Sequence, residues 1–171
     1  MDNIAEQIVV RTKTAGDTLK FIGIMLGTII LSSAFMFLAI WMGFFSFAIP
    51  AVLILFLGVY LVSGMNVEYE YIVTNNEMDI DKIIGRRKRK RMITVDLSQA
   101  EEFAAYPPEN DVDADATVHA SSGLEKDAHY LLVKHSAYGK VKVIFNPNEK
   151  IRTAITAELP RTLQAKIKHG L

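Results

Sequence analysis

At 171 residues the chain has room for one domain, or one domain with an appendage. It contains no cysteine, which excludes disulfides, thiolate nucleophiles and cysteine-based zinc or iron–sulfur sites. Nineteen basic residues balance nineteen acidic ones, so no overall field argues for nucleic acid; the charges are clustered, however, and one long stretch has none.

Residues 1–18 read as an N-terminal cytoplasmic segment. Ile4 and Ile8 share a helical face with Val9 beside them, while Glu6 and Gln7 face away. This pattern predicts a short interfacial helix. A frayed tail is the alternative, because isolated helices of this length are marginal.

From Phe21 to Met65 there is no Asp, Glu, Lys, Arg or His. A hydrocarbon core of about 30 Å is crossed by about 20 helical residues, so the stretch predicts two spans, at about 19–40 and 47–63 within a membrane segment 19–65. The break falls at Trp41-Met42-Gly43, and Pro50 suits the first turn of the second helix. A cleaved signal peptide does not fit, since the apolar stretch is too long and no small-residue cleavage site leads into polar sequence. Arg11, Lys13 and Lys20 precede the first span, six basic residues lie beyond the second, and the loop between the spans has none. The positive-inside rule therefore predicts a multi-pass protein of the cell membrane with both termini cytoplasmic. Gly23 and Gly27 have GxxxG spacing, which serves either a homodimer or close packing inside the hairpin. Their depth matches that of Gly58 and Ser63 in an antiparallel partner, so the expected role of Gly23, Gly27 and Gly58 is hairpin packing.

Residues 66–171 are enough for one small soluble core. Val67, Tyr69, Tyr71 and Val73 alternate with polar residues, which predicts a strand. Asn75-Asn76-Glu77 is a turn signal, Met78 to Ile84 a second strand, and Gly85 its end. Met92 to Val95 continues a third strand that opens with the basic run Arg86 to Arg91. Phe103 to Tyr106 reads as a fourth, stopped by Pro107-Pro108 and followed by an acidic loop, Glu109 to Ala116. Tyr130 to Val133 and Val141 to Phe145 predict a hairpin around Ala137-Tyr138-Gly139. Asn146 as cap, Pro147 at the first position and Glu149 at capping-box spacing predict a helix over about 147–159, with Ile151, Ala154, Ile155 and Leu159 on one face. The fold class is thus a membrane α-helical hairpin followed by an α+β soluble domain of six or seven antiparallel strands and a C-terminal helix.

Tyr71-Ile72-Val73-Thr74-Asn75, the second strand ending at Gly85, the basic strand leading to Asp96-Leu97, and the helix start Asn146-Pro147-Asn148-Glu149-Lys150 carry a resemblance. The chain resembles small bacterial proteins of two transmembrane helices followed by a PH-like domain, a family known as a domain of unknown function. The resemblance implies a PH-like antiparallel barrel or sandwich and implies no activity. PH domains that read phosphoinositides have a basic loop between their first two strands. Here that loop is Asn75-Asn76-Glu77, so specific phosphoinositide binding is not expected.

Arg86, Arg87, Lys88, Arg89, Lys90 and Arg91 are the strongest local feature. A basic cluster just cytoplasmic of a span attracts anionic head groups. The competing reading is a topology signal and solvated strand, in which alternation lets half the run meet Glu68 and Glu70 across strands. No aromatic residue interleaves the run, so nucleic acid is not an expected partner. Asp111, Asp113 and Asp115 have the spacing that opens a calcium loop, but Ala116 stands where glycine is needed and Ser122 where a bidentate acid is needed. His119, His129, His135 and His169 form no metal pattern. Ser121-Ser122-Gly123 lacks a strand–turn–helix setting, no phosphate loop is present, and Glu101 and Glu102 point to opposite faces of a strand. No metal, cofactor or catalysis is expected. The expected function is a membrane-anchored, non-catalytic interaction module contacting anionic lipid or an acidic protein partner. The alternative is an accessory subunit that packs through its hairpin against an unknown membrane protein partner.

Overall fold

The computed structural model describes residues 4–108, 112–124 and 127–169, the last without its side chain. The chain forms two compact units, Lys13–Asn66 and the combination of Met1–Thr12 with Val67–Leu171.

The smaller unit is a helical hairpin of α1 (Ala15–Met42) and α2 (Ala48–Ser63), joined through a single 3-10 turn at Phe45–Phe47. Helix α1 opens with a capping box, in which the Asp17 amide donates to the Thr14 hydroxyl and the Thr14 amide donates to the Asp17 carboxylate at 3.0 Å. It ends at Gly43, whose φ of 68° gives the left-handed conformation that stops a helix. Pro50 lies in the first turn of α2, where its missing N–H breaks no helical bond. Both helical segments, Ala15–Met42 and Phe45–Ser63, are long and apolar enough to cross a membrane. Most of their large side chains are exposed within the unit, and the buried residues are Ser32, Ala39, Ala51 and Gly58. The seam is therefore built from small residues, as packing without a hydrophobic driving force requires. A methyl group on Gly58 would come within 2.5 Å of the Thr28 side chain, and the Ser32 hydroxyl donates to the Ala51 carbonyl at 3.0 Å.

Gly23 and Gly27 take no part in this seam, because a methyl group on either would meet open space. Of the three glycines, Gly58 is the one at which a methyl group would meet the other helix. The reason is the step of about 100° per residue: Thr28 faces α2, so Gly27 points a quarter-turn away.

The larger unit contains eight strands among the described residues. Sheet one runs β1 (Ile4–Val10), β2 (Val67–Thr74), β3 (Glu77–Ile84) and β4 (Lys88–Asp96), all antiparallel neighbours in that order. Sheet two contains β5 (Ala100–Ala105), β6 (Ala116–His119), β7 (His129–His135) and β8 (Gly139–Phe145) in the spatial order β5-β7-β8-β6. Its one parallel pair is β6 with β8. The inner faces meet in one core. Tyr71, Val73, Met78, Ile80 and Val95 come from the first sheet, and Leu131, Val133, Val141, Val143 and Phe145 from the second. Helix α3 (Glu149–Glu158) closes it with Ile151, Ala154 and Ile155, and α4 (Arg161–His169) adds Leu163.

Three expectations need correction. Residues 4–10 are a strand, and no interfacial helix forms there. Ile4, Ile8 and Val10 share a strand face as well as Ile4 and Ile8 share a helical one, and a partner decides between them: Ala5, 3% exposed, and Val9 pack toward the core while β1 pairs with β2. The soluble domain therefore includes β1 and is not confined to 66–171. The helix cap lies two residues later than expected. Asn148 caps α3 by accepting from the Ile151 amide at 2.9 Å, while Asn146 accepts from the Ser122 amide at 2.7 Å and secures that loop. Strand β6 and helix α4 lie where no element was expected.

Candidate functional site

The basic run begins in the turn after β3. Gly85 and Arg86 both take positive φ, 59° and 57°, which reverses the chain within a few residues. Strand β4 then runs back along β3 with Arg91 opposite Asp81, Lys90 opposite Lys82 and Arg89 opposite Ile83. A register shift between Ile80 and Asp81 leaves Met92 as the extra residue. Alternation sends Arg89 and Arg91 to the outer face of sheet one, which also presents Glu68, Glu70, Asp79 and Asp81.

Those acids occupy half of the run. Arg86 Nε lies 3.0 Å from Glu68, Arg89 Nη2 2.8 Å from Glu70, and Arg91 Nη1 2.7 Å from Asp79. Arg91 Nε donates to Asp81, and Arg89 Nε lies 4.0 Å from the same carboxylate. The pairs are asymmetric. The Arg89 and Arg91 side chains are about half exposed and Arg86 is more so, whereas Glu70 is 2% and Asp81 3% exposed. Exposed guanidiniums gain little from such contacts, but a carboxylate held out of water is costly without one. Burial pushes the Glu70 carboxyl above its usual range, and the Arg89 charge only partly opposes this. At Arg91 burial acts downward, but the hydrogen bond to Asp81 and the charges of Asp79 and Asp81 outweigh it. Lys88 and Lys90 point to the other face and are exposed.

A second concave feature lies beside β5, the edge strand of sheet two, where α3 and α4 flank a cleft of about 680 Å³. Phe103 and Ile167 supply apolar surface there, and His129, Arg152, Thr156 and Gln164 supply polar groups. The His129 ring lies 5.6 Å from that of Phe103, and its Nδ1 is buried without a hydrogen-bond partner. Burial lowers the His129 pKa; the Asp127 backbone and carboxylate oppose this, and the Arg152 charge adds to it. Composition gave no signal for this cleft, because its lining is drawn from β5, β7, α3 and α4.

Elsewhere the acids have structural work. The Asp115 carboxylate accepts from the Lys140 amide at 2.7 Å, which ties β6 to the β7–β8 turn, while Asp111 lies outside the described residues. His135 accepts from the Ala137 amide in that turn. His119 is exposed, and the side chain of His169 lies outside the described residues. Among the described residues no group of three or more His, Asp or Glu side chains could hold a metal ion.

Two packed, mainly antiparallel sheets closed by a C-terminal helix, with two apolar helices near the N-terminus, define the class: a PH-like domain with a candidate transmembrane hairpin. The family model of the bacterial PH-like domain DUF6106 matches residues 1–165, and the chain belongs to that family. Comparison with curated proteins and with solved structures gives no match.

Proposed function

We propose that the protein is a membrane-anchored, non-catalytic interaction module of the cell membrane, with both termini and the PH-like domain on the cytoplasmic side. The observation that carries this reading is the place of the hairpin in the chain. The apolar helices are inserted between β1 and β2, which are adjacent strands of one sheet with Val10 paired to Glu68. A sheet that receives both ends of a two-span hairpin requires both ends on one side of the bilayer. The basic residues flanking the helices favour the cytoplasm as that side.

An acidic protein segment is the partner the domain suits best. Among the described residues the lining of the cleft beside β5 includes the Arg152 guanidinium and no Asp or Glu, and an edge strand next to a groove is a common seat for an extended segment. Anionic lipid is the lesser contact, since Arg86, Arg89 and Arg91 already hold carboxylates of the same sheet. The second reading, an accessory subunit packing through its spans, is favoured by the open Gly23 and Gly27 face of α1.

One experiment separates these readings. A photocrosslinking residue is placed in cells at Thr156, Lys90 or Gly27 of the full chain. A discrete protein adduct at Thr156 that disappears with Arg152→Glu is the expected result. Lipid adducts at Lys90 alone would favour the basic strand. Protein adducts at Gly27 alone would make the hairpin the working surface and overturn the module reading.

A further inference from the structure

The ion pairs on the outer face of sheet one leave one acceptor unserved. Glu70 is 2% exposed, and Arg89 serves only its Oε1. Its Oε2 is buried with no hydrogen-bond partner. A second carboxyl lies across the strand pair from it. Ile8 of β1 pairs with Glu70, so Glu6 lies diagonally across the same face, and its side chain is within hydrogen-bonding reach of Glu70. Two carboxylates in contact, one of them out of water, cannot both stay ionised without a positive charge between them. Among the described residues, this face presents Glu6 on β1, Glu68 and Glu70 on β2, and Asp79 and Asp81 on β3. Against these five stand Arg86 in the turn and Arg89 and Arg91 on β4. Each guanidinium also reaches at least one acid other than Glu6.

We propose that the buried Glu70 carboxyl is a proton-binding site: it takes one proton from solvent, donates it in a hydrogen bond to the Glu6 side chain, and thereby fastens β1 to β2. The site has a particular place in the chain. Strand β1 is the segment before the hairpin and β2 the segment after it, so this proton sits in the seam through which the hairpin is inserted. The sign follows from linkage. Glu70 binds its proton more tightly in the folded protein than in the unfolded chain, where the ordinary value is 4.5. Its stabilisation is complete below that value and is lost as pH rises through the folded-state value. The attachment of β1 therefore weakens toward alkaline pH, opposite to the usual behaviour of a salt-bridged acid.

Hydrogen exchange on the full chain in nanodiscs tests this, with amides of Ile4–Val10 followed between pH 5 and pH 8 after correction for intrinsic rates. Protection of β1 should fall across that range, by roughly tenfold for each unit by which the native value exceeds the unfolded one. Glu6→Gln places a permanent N–H donor beside Glu70 Oε2, so its protection should be flat with pH and exceed wild type at pH 8. Glu70→Gln should also be flat. Glu6 is exposed, so the first variant decides the matter should the second fail to fold. Wild-type protection that ignores pH, or a Glu6→Gln profile with the wild-type slope, would overturn the proposal.

Discussion

The hairpin and the PH-like domain handle apolar surface in opposite ways. In the domain the large side chains turn inward: Tyr71, Phe145, Met78, Leu131 and Ile155 are all fully buried. In the hairpin Leu53, Phe56, Leu57 and Val59 are more than half exposed, and the buried positions belong to Ser32, Ala39, Ala51 and Gly58. The domain draws its stability from removing apolar area from water, and its core must be closed by non-local strand pairs. A hairpin in lipid gains nothing from burying a leucine against another leucine, so it relies on close approach and on a few hydrogen bonds. Each kind of substitution should therefore hurt one unit and spare the other.

The largest effect should come from the strand that joins the two. Deleting residues 4–10 removes the edge of sheet one, uncovers Tyr69 and Tyr71, and takes away the Gln7 side chain, which donates to the Asn146 carbonyl at 2.9 Å and accepts from the Asn148 amide at 2.7 Å. The domain should then fail to unfold cooperatively, as followed by circular dichroism. The converse change should succeed. Replacing Lys13–Asn66 by a short Gly/Ser loop bridges Thr12 to Val67, whose strands already pair as neighbours, and should give a water-soluble domain with a sharp thermal transition. An insoluble product would mean that the domain depends on the hairpin for more than connection.

Core truncation comes next. Leu131→Ala removes a fully buried side chain where both sheets meet and should cost about 2–5 kcal/mol in denaturant unfolding. Leu57→Ala, on an exposed face of α2, should leave the domain's transition where it was. Below this lies the contrast between two glycines. Gly58→Leu drives a side chain into Thr28 and should cost about 1–3 kcal/mol of hairpin stability, read as loss of thermal stability in detergent. Gly27→Leu points into open space and should be tolerated by the hairpin.

These glycines also mark where sequence reading reached its limit. The charge-free stretch announced two apolar helices because composition alone carries that signal. Strands β2, β3, β7 and β8 were legible from period-two alternation, and α3 from its apolar face. Strand β1 was not, because three of its four outward residues are aliphatic and satisfy helical spacing equally well; the tie is broken by β2, more than fifty residues away in sequence. Strand β6 is four residues long and pairs in parallel with a strand that follows it, which no local pattern records. In the hairpin, GxxxG spacing drew attention to Gly23 and Gly27, while the close approach falls at Gly58, whose partner is a threonine. The basic run was visible at once. Its neutralisation depends on register, which places Asp81 opposite Arg91 and Glu70 beside Arg89; alternation alone points to Glu68 and Glu70 and carries no sign of Asp79 and Asp81.

That register predicts a smaller, sharper contrast within one strand. Arg89→Gln leaves the buried Glu70 without its cation and should cost about 1–2 kcal/mol, less than for a fully buried pair because the arginine is half exposed. Lys90→Gln, on the opposite face, should fall within about 0.5 kcal/mol of wild type. Equal losses at the two positions would mean that charge count governs this strand, and not pairing.

The smallest effect tests the hairpin seam itself. Ser32 is buried and its hydroxyl donates to the Ala51 carbonyl, a group already engaged as a helical acceptor. Removing the hydroxyl leaves no unpaired backbone group, and alanine keeps the helices equally close. Interhelical hydrogen bonds in membranes average about 0.6 kcal/mol, so Ser32→Ala should shift the thermal transition of the detergent-solubilised protein only slightly. Ser32→Leu keeps the hydroxyl absent and adds bulk at the same depth, so it should cost several times more. If both variants lose the same amount, the hydrogen bond sets the approach of α1 and α2; if only the leucine matters, the small side chain does.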